Sequence, residues 1–199
     1  MDKEIINFTR NALLGNISGQ PLCASYKSAL RQCSNDKEML IRLALQQQSM
    51  PYVSTACYKK LGITKEYITK NYAEYINGNK TFDDVEGVSG YTYQMYVGYD
   101  KNFYITSDVT YLMWCSEPVV TVLETKCPTV YISNSSSMRL NCEGFNTVNI
   151  KLFDDSKLMI DNLLSNSDVI VYKYSNNASV ITGSNCLGSV KIFNKQLKL

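Results

Sequence analysis

Histidine is absent from all 199 residues of this chain. That removes the usual base for a cysteine or serine nucleophile, so neither thiol nor hydroxyl catalysis of the common kind is expected. It also removes the mixed Cys/His zinc spacings. The seven cysteines (Cys23, Cys33, Cys57, Cys115, Cys127, Cys142 and Cys186) never form a Cys-x-x-Cys pair. Their odd number and wide spacing fit small buried hydrophobes in a reducing compartment. Neither common glycine loop for cradling phosphate occurs. Apolar runs all fall well short of the roughly 18 residues a membrane-spanning helix needs. The opening Met-Asp-Lys-Glu-Ile-Ile-Asn-Phe-Thr-Arg lacks the charged-then-apolar layout of a signal peptide. The chain is therefore expected in a cytoplasm, or in a particle built there, with no membrane insertion.

Strong charge of one sign is missing too. The net charge is +2, split as eleven Lys/Arg against six Asp/Glu in residues 1–80 and nine against twelve in residues 81–199. A nucleic-acid-binding domain normally carries a larger basic excess. Paired carboxylates occur at Asp83-Asp84 and Asp154-Asp155, both in polar turns, where capping and solvation are their ordinary work. Neither pair sits in the spaced-ligand loop that calcium requires. No catalytic, metal-binding or cofactor-binding residues are assigned, and an enzyme is not expected.

What the sequence does have is a repeat. From Thr129 onward, short apolar strands recur about every ten residues: T-V-Y-I-S, S-M-R-L-N, T-V-N-I-K, K-L-M-I-D, D-V-I-V-Y, S-V-I-T-G and S-V-K-I-F. Their first apolar residues are Val130, Met138, Val148, Leu158, Val169, Val180 and Val190, and Val120 extends the series upstream. Side chains two apart in a strand share a face, so Val130/Ile132, Met138/Leu140, Val148/Ile150, Leu158/Ile160, Val169/Val171 and Val190/Ile192 point one way. Only Val180/Thr182 breaks the pattern. The intervening Asn, Ser, Asp and Gly suit tight turns. Units this short cannot bury their own apolar face, so they must stack. A β-solenoid fits better than a meander, because the turns lack Asn-Gly hairpin signals.

The first eighty residues read as short helices. Segments near 3–14 and 22–33 flank the breaker Gly15–Gly19. Asn35 and Glu38 fit a capping box ahead of Met39, Leu40, Leu43 and Ala44. A further helix is expected from Pro51 to Gly62. The next is capped by Thr64, stapled by Ile63 and Ile68, and ended by Asn77-Gly78. Residues 91–106 read as a strand pair around a turn at Gly98–Asn102. The expected organisation is α+β: a helical bundle over 1–78, a connection with Tyr-rich strands over 79–118, and a β-solenoid-like repeat over 119–199.

The middle residues of the repeat strands face away from the presumed core: Thr121, Tyr131, Arg139, Asn149, Met159, Ile170, Ile181 and Lys191. A free surface does not normally expose so many bulky apolar groups. Either the helices fold over that face or another subunit covers it. Eleven of the fifteen tyrosines lie between Tyr52 and Tyr111. Tyrosine is enriched at interfaces and serves equally at an internal seam. Tyr131, Met159, Ile170, Ile181, Tyr91 and Tyr93 are thus the candidate interface, for a protein partner or a second copy. A competing reading takes residues 50–80 as a nucleic-acid-binding helix-turn-helix with Lys59, Lys60, Lys65 and Lys70. Against it, Ala56 to Gly62 spans six positions where that motif has four. Tyr67, Tyr72 and Tyr75 also occupy the second helix where polar base-readers belong.

Gly87–Tyr99 (G-V-S-G-Y-T-Y-Q-M-Y-V-G-Y), D-V-I-V-Y-K-Y-S from Asp168, and the ending G-S-V-K-I-F-N-K-Q-L-K-L resemble proteins encoded by bacteriophages and prophages of gut Bacteroidales. That resemblance covers most of the chain and brings no assigned active residues. It implies a phage setting, with the protein in the host cytoplasm or the virion as a structural or accessory part.

Overall fold

The computed structural model describes residues 2–14, 24–33, 36–46, 63–83, 90–123 and 127–195. Among the described residues, four helices precede the β region: α1 (Asp2–Leu14), α2 (Ala24–Gln32), α3 (Lys37–Gln46) and α4 (Lys65–Asn71), the last followed by a 3-10 turn at Ala73–Tyr75. The helix expected over Pro51–Gly62 lies outside the described residues. Thr64 caps α4 as its sequence suggests, accepting the Tyr67 N–H at 3.1 Å, with Ile63 and Ile68 buried beside it. The start of α3 differs by one residue. Asp36 accepts the Met39 N–H at 3.1 Å through its carboxylate, a stronger acceptor than the amide of the neighbouring Asn35.

Twelve strands follow among the described residues: β1 (Phe82–Asp83), β2 (Thr92–Val97), β3 (Phe103–Tyr104), β4 (Val109–Met113), β5 (Ser116–Val122), β6 (Thr129–Ser133), β7 (Ser137–Cys142), β8 (Thr147–Leu152), β9 (Lys157–Leu163), β10 (Asp168–Lys173), β11 (Ser179–Cys186) and β12 (Ser189–Asn194). They form two sheets, ordered β1-β2-β4-β6-β8-β10-β12 and β11-β9-β7-β5-β3. From β2 onward every pairing is parallel. Successive strands alternate between the sheets, so the chain winds through about five turns of a two-sided β-solenoid. The ten-residue period is half a turn.

This alternation corrects two expectations. Residues 91–106 are not a paired hairpin; β2 and β3 belong to opposite sheets, and the Tyr-rich segment forms the first turn of the solenoid. Nor do the leading apolar residues share one column. Val148, Val169 and Val190 stack in one sheet, while Met138, Leu158 and Val180 stack in the other. In β6 and β8 the register also slips by two, so Val130 lies beside Ile150 and Ile132 beside Leu152.

Between the sheets the inward columns seal each other. Val130, Ile132, Leu140, Ile150, Leu152, Ile160, Val169 and Val171 have no exposure at all. Burying a side chain of this size contributes about 1.5–3 kcal/mol each, so the core is the main source of stability. The corners leading into β5, β7, β9 and β11 are held by small residues, Cys115, Ser136, Ser156 and Ala178, all buried. Backbone bonds link these corners rung to rung: Ser137 N–H to the Cys115 carbonyl at 3.0 Å, Lys157 N–H to Ser136 at 2.9 Å, and Ser179 N–H to Ser156 at 3.1 Å. Left-handed backbone at Asn134, Ser135 and Asp154 makes the bends, and the Asp154 carboxylate accepts the Asn134 N–H at 3.0 Å.

The two ends differ. At the first turn, β1 pairs antiparallel along β2. Asn77 extends that cover, donating its N–H to the Met95 carbonyl at 2.8 Å and accepting the Val97 N–H at 2.7 Å. Tyr96 and Phe103 stack across the core mouth with ring centres 3.9 Å apart. At the far end, β12 pairs only with β10 and β11 only with β9 among the described residues.

Candidate interaction surface

The outward residues divide between two opposite faces, because successive strands lie in opposite sheets. Tyr131 and Ile170 belong to the first sheet; Arg139, Met159 and Ile181 form one column on the second. The single bulky face expected from the sequence is therefore not formed.

Helices cover the early rungs of the first sheet. Met95, Tyr111, Met113, Tyr131 and Phe153 pack into one cluster with Ile41, Leu45, Ile63, Ile68 and Tyr72. The Tyr111 hydroxyl donates to the Leu45 carbonyl at 2.6 Å, tying α3 to the sheet. Thr9 Oγ1 meets the Tyr72 hydroxyl at 2.6 Å and the Tyr67 hydroxyl at 2.8 Å, tying α1 to α4. Burial pushes the Tyr72 phenol well above its usual pKa. These bonds answer much of the tyrosine question: many of these rings line the seam between helices and solenoid. Tyr131 is one of them, buried and stacked 4.7 Å from Tyr111. Lys151 donates to its hydroxyl at 2.8 Å.

The other candidates are more open. Tyr91 is exposed, Tyr93 is half-buried against the same cluster, and Met159 and Ile170 are half-buried. Ile181 is 52% exposed on the last rung. Beyond the helices the first sheet shows Tyr172 and Phe193, stacked 5.5 Å apart, with Lys195 Nζ 5.6 Å from the Tyr172 ring centre. On the second sheet Arg139 donates to Asp161 at 2.7 Å.

Of the four candidate nucleic-acid contacts, Lys59 and Lys60 lie outside the described residues. Lys70 is exposed, whereas Lys65 is half-buried, its methylenes laid where a Cβ on Gly98 would fall. Asp154 works as a turn cap, as its position implies. Among the described residues no group of three or more Cys, Asp or Glu gathers as a metal site, and no helix is long and apolar enough to cross a membrane.

One surface went unread in the sequence. Leu123, Phe145, Leu164 and Leu187 follow β5, β7, β9 and β11, so all four occupy the same corner of successive turns. Each is a large apolar side chain between 38% and 72% exposed. Leu123, Leu164 and Leu187 follow Val122, Leu163 and Cys186, which share one register position; Glu143 holds the equivalent place in the rung between the first two, and Phe145 lies two residues further round the same corner. A shallow depression among Leu123, Glu143, Gly144, Asn162 and Leu164 lies between the first two of these leucines. The corner beneath is rigid: Asn146 donates to the Leu123 carbonyl at 3.1 Å, and Ser167 Oγ donates to the Gly144 carbonyl. A signal existed in the sequence, an apolar residue one to three positions after every second strand.

No family model, curated protein or solved structure matches the chain.

Proposed function

We propose that this chain is a non-enzymatic structural or interaction protein, a phage virion or accessory component whose solenoid is a rigid contact surface. The observation that carries the reading is the corner row Leu123, Phe145, Leu164 and Leu187. Isolated exposed apolar residues need no explanation, but four gathered on one hydrogen-bonded corner of successive turns mark a place where another surface docks. Fixed spacing supports this use. The parallel ladders hold the row at one pitch, so a partner meets it with little ordering cost. The phage setting rests on the resemblance of Gly87–Tyr99 and the two later segments, which supports a place in the host cytoplasm or the particle.

The test is incorporation. Phe145→Ser with Leu187→Ser keeps both turns and removes most of the exposed apolar row. In cells producing phage, the native chain is expected in purified particles or assembly intermediates, and the double variant to fall at least tenfold there while remaining folded. Equal incorporation of both chains contradicts the reading.

A further inference from the structure

The two ends of the solenoid differ in what they offer for assembly. β1 and Asn77 line the edge of β2 and the Tyr96–Phe103 stack fills the core mouth, so among the described residues the first end offers only the two-residue edges of β1 and β3. Among the described residues the last turn offers two edges, β11 and β12, with outward-facing backbone donors and acceptors. It also leaves inward-column residues unfinished: Val180, Cys186 and Val190 are only half-buried, and Ile192, in column with the fully buried Val171 and Ile150, is 47% exposed. Solenoids need a capping unit at such an end, and an open strand edge is matched by another strand edge.

We propose that the last turn is an interface between two copies of this chain, joined end to end across a two-fold axis. Head-to-tail stacking would need edges of matching length at the first turn, where β1 and β3 have two residues each; the longer last strands match each other instead, and that contact closes at two. An axis perpendicular to the sheets brings β12 against β12 of the second copy antiparallel, and β11 against β11. Centred on Ile192, this pairing sets Ile192 against its own copy, continuing the core column, and sets Lys191 opposite the ring of Phe193. Two strands of six to eight residues, with sheets about 10 Å apart, give an end face of roughly 450 Å² per copy. That is below the roughly 800 Å² per partner of a standard stable interface. The dimer is accordingly weak, and dissociates in the micromolar range.

This rests on the assembly reading above only in treating the solenoid surface as contact surface, and its test is separate. Sedimentation velocity of the full chain over a thousandfold concentration range should show monomer and dimer, with nothing larger. Ile192→Lys places two ammonium groups at the axis and should raise the dissociation constant at least tenfold with the circular dichroism unchanged. Ile192→Cys, made with Cys127→Ser, should cross-link to its own copy on mild oxidation, because opposed antiparallel residues have Cα atoms about 4.5–5.5 Å apart, within disulfide reach. A chain that stays monomeric throughout, or a dimer indifferent to Ile192→Lys with no Ile192 cross-link, or open-ended filaments, overturns the proposal. If monomeric Ile192→Lys still enters particles, the dimer is not required for the corner row to work. If the dimer forms while the Phe145/Leu187 variant enters particles normally, the assembly reading alone fails.

Discussion

At the residue scale, backbone approach and burial decide what can be changed. A Cβ on Gly188 would fall on the carbonyl oxygens of Ser167 and Leu164, both main chain and both committed to the corner. Gly188→Ala is expected to cost about 1–3 kcal/mol, the range of overpacking, read as a lower denaturant midpoint with an unchanged slope. Burial also raises the thiol pKa of Cys115 to about 11 and that of Cys142 to about 12, which keeps both protonated and unreactive at neutral pH. Cys127 is exposed. A maleimide pulse followed by peptide mapping should label Cys127 in the folded chain, and Cys115 and Cys142 only after unfolding. Tyr96 gives a pH dependence. Its phenol, buried at the mouth of the core, is raised to about 12, while an unfolded tyrosine ionises near 10. Between those values the folded chain holds the proton more tightly, so its contribution to stability is complete below about pH 10 and lost as pH rises toward 12. Melting temperature should fall over that window, and Tyr96→Phe should flatten the fall.

At the element scale, the caps and columns carry the prediction and also show what a sequence can reveal. Thr64→Ala removes the side-chain acceptor at the start of α4 and is expected to cost about 1 kcal/mol, measured by chemical denaturation. That cap was legible because Thr64, Ile63 and Ile68 are local in sequence. The inward pairs such as Val148/Ile150 and Leu158/Ile160 were legible for the same reason, since alternation is a property of one strand. Four features were not. A slip of two residues leaves every side chain on its own face, so the pairing of Val130 with Ile150 leaves no trace in the pattern. Assignment of strands to two sheets is invisible when both sheets bury the same kind of residue, which is why Val148 and Leu158 looked equivalent. Gly98, at φ +60°, has the backbone of a hairpin turn and yet serves a solenoid corner. The corner row was hidden by its company: Phe145 sits in Cys-Glu-Gly-Phe-Asn, a turn judged by its polar members.

At the scale of the whole molecule, the helices and the solenoid divide the work. The helices occupy the outer face of the first sheet over its early rungs, where the Tyr111 hydroxyl donates to the Leu45 carbonyl. Leu152 is fully buried in the column that runs from Tyr96 through Leu112 and Ile132. Leu152→Ala should cost about 2–5 kcal/mol and lower the protection of β6 and β10 together in hydrogen exchange, because each rung is held by its neighbours. The assembly role is most directly tested by hydroxyl-radical footprinting of the full chain, free and within purified phage particles. Modification of Phe145, Leu164 and Leu187 is expected to drop severalfold in the particle while that of Phe8, exposed on α1, stays constant. Equal modification of the three corner residues in both states would contradict the account.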